Sequence, residues 1–146
     1  MPLYCTAVGK VMLAYMPLEE RDRVLPELGV KRLTPNTVGN LQELKTELYR
    51  VHKNGYACDM EENEMHIRCV AAPIWDHTGS VQSSVSITAP VVRMPVTRLR
   101  QLAPLIQAAG LQISRELGYQ PSVSAEARAS IGRKDAPEAR LAKVAL

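Results

Sequence analysis

Three cysteines and three histidines are the groups in this 146-residue sequence best suited to covalent or metal chemistry: Cys5, Cys58 and Cys69, with His52, His66 and His77. A cysteine nucleophile needs a base beside it. His77 falls in a turn at the far end of a hairpin from Cys69, and His52 falls late in a helical stretch. His66 lies three residues from Cys69 in an extended stretch, so it points to the opposite face. No base is in place. Cys58, His66 and Cys69 have neither knuckle nor helical ligand spacing, so no metal site is expected, and no other cofactor either. A GxSxG elbow, a phosphate loop and an HExxH sequence are also lacking, and the chain reads as a non-enzyme.

Another group of side chains offers binding. Between Ser80 and Ala89 the residues alternate strictly, with Val81, Ser83, Val85 and Ile87 on one face and Gln82, Ser84, Ser86 and Thr88 on the other. Asp76-His77-Thr78-Gly79 is a turn cluster joining this strand to Ile67–Trp75. If Trp75 faces Ser80 across it, Cys69 sits opposite Ser86 and Ile67 opposite Thr88. Pattern alone favours a sheet with its polar face in water. Against that, Ile67, Cys69 and Ala71 on the same face of the partner strand are small or apolar. Together they suit a pocket floor for a small polar ligand. Asp59, the one acid in a preceding strand Tyr56–Met60, is placed either to accept a ligand hydroxyl or to stand at the strand end in water. Glu61, Glu62 and Glu64 read as an exposed acidic turn.

Helices must flank these strands. Thr6 is an N-cap for a run through Val8, Val11, Met12 and Tyr15, and the amides of Ala7, Val8 and Gly9 at its start suit a carboxylate. Every helix has such an end, and Thr6 can cap those donors itself. Lys10 reads as a solvated helix residue. Pro17, Glu19 and Glu20 begin a second helix. Asn40 and Glu43 resemble a capping box before Leu41, Leu44, Leu48 and Val51, a stripe ending at Asn54-Gly55 and expected to pack across the sheet. A last helix carries Val96, Leu99, Leu102, Ile106, Ala109, Ile113 and Leu117, with Pro104 expected to kink or divide it.

Apolar residues make up 46%, enough for one domain's core. The formal charge is +3; Arg128, Arg133, Lys134, Arg140 and Lys143 against Glu126, Asp135 and Glu138 place +2 of it after Tyr119. The nearly neutral body argues against direct nucleic-acid contact. An odd number of cysteines without CxxC spacing, and no secretory signal, suit a reducing cytoplasm. No apolar run is long enough to span a bilayer, so no membrane partner is expected.

The segments PLYCTAVGKVMLAYMP, GYACDMEE, RCVAAPIWDHTGSVQSSVSITAP and ISRELGY resemble, in order, the effector-binding domain of IclR-type bacterial transcriptional regulators. The resemblance implies an α/β (α+β) fold, a GAF-like or profilin-like curved antiparallel sheet with helices packed on it. It covers residues 1–119 as a sensor domain and leaves 120–146 as a flexible tail. It implies a small organic acid as ligand (keto, sugar or aromatic), assembly as dimers or tetramers, and control of DNA binding or oligomerisation. Residue by residue it gives Ala7 and Val8 at the first helix start, Asp59, Cys69, Ser86 and Thr88. The amides and the two hydroxyls would hold the carboxylate, and Asp59 a ligand hydroxyl or a water. His66 stands where the family usually has Gly, and Thr88 where Ser is more usual. The winged helix-turn-helix, its linker helix and the first strands of the sensor sheet are not in this sequence. DNA contact is therefore expected only through a segment outside it, and an exposed sheet edge is expected as well. The alternative expectation is a truncated interaction module that co-assembles with regulators and binds no DNA itself.

Overall fold

The structure, a computed structural model, describes residues 2–120. The expected tail lies outside them apart from Gln120. Thr6 adopts an extended conformation and its Oγ1 accepts the Gly9 amide at 3.1 Å, which starts α1 (Ala7–Tyr15). Pro17 opens α2 (Leu18–Glu27). At α3 (Leu41–Asn54) the capping box is formed. The Glu43 amide donates to Asn40 Oδ1 and the Gly39 amide donates to the Glu43 carboxylate, both at 2.9 Å. Gly55, at φ 76°, ends that helix.

Three antiparallel strands follow in the order β1 (Ala57–Met60), β2 (Ile67–Trp75), β3 (Val81–Pro90). The hairpin register differs from the sequence expectation. The Asp76 amide donates to the Ser80 carbonyl, closing a tighter turn over His77, Thr78 and Gly79, with Gly79 at φ 81°. Asp76 Oδ1 accepts from the Thr78 and Ser80 amides at 2.8 and 3.1 Å and fixes that turn. A bulge at Ile74/Trp75 then displaces the ladder again. Cys69 therefore faces Thr88, Ala71 faces Ser86, and Ile67 faces Pro90. The displacement is even, so every side chain keeps its expected face.

α1 crosses all three strands on one face, and α4 (Val96–Glu116) covers β2 and β3 on the other. α3 stacks on α1 instead of the sheet, because α1 already covers that face and buries residues around most of its circumference. Leu44, Leu48 and Val51 of α3 join Val11, Leu13, Ala57 and Ala71 in one core. Met60, Val70, Ala72, Leu99, Leu102 and Ile106 form the other. α4 runs unbroken through Pro104, which sits on its exposed side where the carbonyl it leaves unbonded can be hydrated. Its buried stripe ends in Gly110 and Ser114, while Ile113 and Leu117 are exposed. Small residues are needed there because α4 touches backbone. The Trp75 amide donates to Ser114 Oγ at 2.8 Å, and a Cβ on Gly110 would lie 2.6 Å from the Pro73 carbonyl oxygen.

Gly110→Ala should therefore force α4 away from β2 and cost about 1–3 kcal/mol, as overpacked sites do. Urea unfolding checks this: a midpoint equal to that of the unsubstituted chain would show that the helix accommodates the methyl group.

Candidate functional site

Cross-strand pairing puts directly opposed residues on one face. Asp59 faces Cys69 and Cys69 faces Thr88, so these three form one row across the sheet. The next row is Ala57, Ala71 and Ser86. Both rows lie on the face that α1 crosses, where Ala7, Ala57, Cys69 and Ala71 share one apolar cluster with Val8 packed against it. The Thr88 and Ser86 hydroxyls work against the burial that raises the Cys69 thiol. Thr6 takes only the Gly9 amide, and no hydrogen bond among the described residues uses the Ala7 and Val8 amides. The six residues expected from sequence thus belong to one face. Ser86 and Thr88 are exposed, so this face opens to the surface on its β3 side.

Ser84 is the residue that the site expectation omitted. It belongs to the same face, and its Oγ is buried without a hydrogen-bond partner. Its place in the alternation of β3 was the available signal. Two cavities are present, the first reaching Ala57 of the second row and the other clear of both rows. The first, of about 60 Å³, is lined by Glu47, Arg50, Tyr56 and Arg100 among others. The other, of about 400 Å³, lies among α1, α2 and α3 beside Tyr15, Lys45 and Tyr49.

Around Asp59 the chain departs most from expectation. The acidic stretch is not an exposed turn: Glu61 and Glu62 are buried, and only Glu64 of the three is exposed. Lys10 is not a solvated helix residue but is fully buried. Its Nζ donates to Glu62 Oε1 at 2.7 Å, to Glu47 Oε1 at 3.4 Å and to the Cys58 carbonyl. Glu61 binds Arg68 at 2.8 Å. Thr34 and Thr37 donate to the carbonyls of Glu61 and Glu62, each at 2.6 Å. Asp59 Oδ1 accepts from the Glu62 amide at 2.7 Å and the Asn63 amide at 3.4 Å. Among the described residues no hydrogen bond reaches its Oδ2. The turn bends through two residues in the left-handed region, Glu61 at φ 64° and His66 at φ 66°. That conformation suits glycine, which accounts for His66 as an unusual occupant.

Burial is the main force on the titrations here. It raises the Asp59 carboxyl to about 6, with the Glu62 charge adding to the rise and the Glu62 amide and Lys10 opposing it. Burial likewise pushes Cys5 up to about 11 and Cys58 up to about 12, and raises Cys69. These are neutral thiols at neutral pH, a poor state for a nucleophile. Cys58 faces Val70, so it points away from Cys69.

With this geometry in view, the comparisons with known proteins fall into place. Residues 1–115 match the family described as Bacterial transcriptional regulator IclR C-terminal. The HTH-type transcriptional regulator KdgR of Dickeya chrysanthemi is 36% identical over 81% of this chain and 39% of its own length. The crystal structure of the Thermotoga maritima IclR superposes with a TM-score of 0.75 at 40% identity, covering 80% of this chain and 47% of that one. The inducer-binding domain of PobR from Acinetobacter, a double mutant in complex with 3-hydroxybenzoic acid, superposes with a TM-score of 0.71 at 26% identity, over 78% of this chain and 68% of that one. The chain belongs to the IclR family of bacterial transcriptional regulators and corresponds to its C-terminal regulatory domain. It spans less than half the length of the curated relatives it matches. Those relatives are regulators and not enzymes.

Removing one member of a buried pair leaves its partner uncompensated, so Lys10→Met should destabilise by about 3–5 kcal/mol. Adding Glu62→Gln should recover part of that loss, and urea unfolding of both variants decides. Asp59 has a folded-state pKa above its unfolded value, so its contribution to stability is fully present below about pH 3.8 and is lost as pH rises through about 6. The stability of Asp59→Asn relative to the unsubstituted chain should accordingly climb between pH 4 and 6 and level off above. A difference independent of pH would place Asp59 in water.

Proposed function

We propose that this domain senses a small organic acid and passes its occupancy to the DNA-binding half of an IclR-type regulator. The observation that carries this reading is the joining of Asp59, Cys69, Thr88 and Ser86 on the sheet face beneath α1. There the Ala7 and Val8 amides carry no internal hydrogen bond. A carboxylate at the start of α1 meets those amides and the favourable end of the helix dipole. The Ser86 and Thr88 hydroxyls donate to its oxygens from the sheet. Ala7, Ala57 and Ala71 keep the floor small, which favours a compact acid. Asp59 Oδ2 supplies a further contact to the bound ligand, directly or through a water. Binding of 3-hydroxybenzoic acid by the PobR domain supports the choice of an acid.

In this reading the ligand biases a conformational or assembly equilibrium, the working unit is a dimer or tetramer in the cytoplasm, and DNA is contacted only through a winged helix-turn-helix outside this sequence. A second reading has one observation in its favour. The outer edge of β3 is unpaired among the described residues, and no residue of that strand is charged. Such an edge favours an interaction module that co-assembles with regulators without a ligand.

A thermal-shift screen against pyruvate, glycolate, gluconate and 3-hydroxybenzoate tests the sensor. A ligand at about 100 times its dissociation constant stabilises the native state by about 2.7 kcal/mol. Ser86→Ala with Thr88→Val should then weaken binding of the best acid by about 1.5–3 kcal/mol for each charge-assisted bond lost. Unchanged affinity in calorimetry would move the carboxylate elsewhere, and a flat screen on a cooperatively melting chain would favour the interaction module.

A further inference from the structure

Two charges bear directly on Asp59. Lys10 of α1 and Glu62 of the following turn both face it, and Glu47 of α3 shares Lys10 with Glu62. Cys5, ahead of α1, and Cys69 of β2 also face it, both as neutral thiols. Arg68, at the start of β2, is held by Glu61 of that turn. With Asp59 ionised, Lys10 would stand against both Asp59 and Glu62, while Glu47 is divided between Lys10 and Arg50. An anionic ligand would add a further negative charge in a place of low dielectric.

We infer that Asp59 holds the acid ligand as a neutral carboxyl, its Oδ2–H donating to a ligand carboxylate oxygen, so that each ligand bound near neutral pH brings one proton with it from solvent. The geometry divides the two oxygens for such a role. Oδ1 is an acceptor for the Glu62 and Asn63 amides and stays one after protonation. Oδ2, without a hydrogen bond, is where the proton resides. The burial and nearby Glu62 charge that hold this carboxyl near 6 favour the protonated form further once an anion sits beside it. The proton balance is simple: solvent buffer loses one proton, Asp59 gains it, and the ligand remains an anion. Neutral analogues of the same shape lack the acceptor charge that makes the exchange favourable, so the carboxyl selects acids over amides and sugars.

This inference rests on the acid-sensor reading, and one experiment separates the two. The tightest binder among pyruvate, glycolate, gluconate and 3-hydroxybenzoate is titrated calorimetrically into the full chain at pH 5.5, 6.5, 7.5 and 8.5. At pH 7.5 the titration is repeated in buffers of differing ionisation enthalpy. The expected result is an uptake near one proton per ligand at pH 7.5 and an affinity falling about tenfold per pH unit above about 6. Asp59→Asn, which retains the Oδ1 acceptor for the Glu62 amide, should bind with no proton uptake and no pH dependence in this range. Should that variant fail to fold, the buffer series on the unsubstituted chain decides alone. Binding with no proton uptake and a flat pH profile overturns the inference while leaving the sensor intact. Failure of all four acids to bind at any pH overturns both.

Discussion

Lys10 is the point from which much of the molecule's arrangement follows. An ammonium group with no exposure to water is tolerated only where acceptors surround it, and here they come from three different parts of the chain: Glu62 after β1, Glu47 on α3 and the Cys58 carbonyl in β1. One side chain on α1 thereby fixes that helix to the sheet edge and to the helix stacked above it. The ion pair itself is no strong source of stability, because desolvation offsets most of its attraction. What it supplies is position. α1 cannot slide along the sheet without stranding a charge, and the Ala7 and Val8 amides are held over the same strands.

The turn between β1 and β2 is organised by the same requirement. It carries Asp59, Glu61 and Glu62 inward and gives each a partner: Asp59 backbone amides, Glu61 Arg68, Glu62 Lys10. Thr34 and Thr37 clamp its carbonyls from the preceding loop, and Asn36 donates to the Met60 carbonyl at 3.1 Å. Left-handed backbone at Glu61 and His66 is the conformational cost of turning the chain tightly enough to reach all of these partners.

The sequence revealed the strands, their faces and the helix caps because each has a local cause. Alternation in β3 needs only period two, and Asn40 with Glu43 needs only a spacing of three. The same locality explains the errors. The sum of a tighter turn and a bulge moved the hairpin register by two residues, and neither has a signal in the alternation of the strands. Lys10 and Glu62 lie far apart in the chain, so nothing near either residue shows that they are partners. Read alone, each looks like an ordinary solvated charge. α3 has a clear apolar stripe, yet a stripe does not say whether it meets a sheet or another helix. The candidate site was more legible than its surroundings, since small polar residues alternating on one strand opposite small apolar ones are unusual for a wet face. Ser84 escaped because serine in such a pattern gives no sign of being buried.

Asp59 joins the site to the rest of the fold through very few bonds. Its Oδ1 caps the turn that carries Glu62, and Glu62 holds Lys10 on α1. The same turn carries Glu61, which holds Arg68, and Arg68 Nη1 donates to the Met94 carbonyl at 3.2 Å, just before α4. The helices on the two faces of the sheet are therefore each tied to this one turn, by a lysine on one side and an arginine on the other. A ligand shifts an equilibrium only by the difference in its affinity for the two states. A contact at Asp59 can generate such a difference without large motion, because the turn it caps is already strained and bears buried charge. Asp59 thus caps a turn bonded to α1 on one side and to the chain before α4 on the other, whereas Ser86 and Thr88 belong to the edge strand.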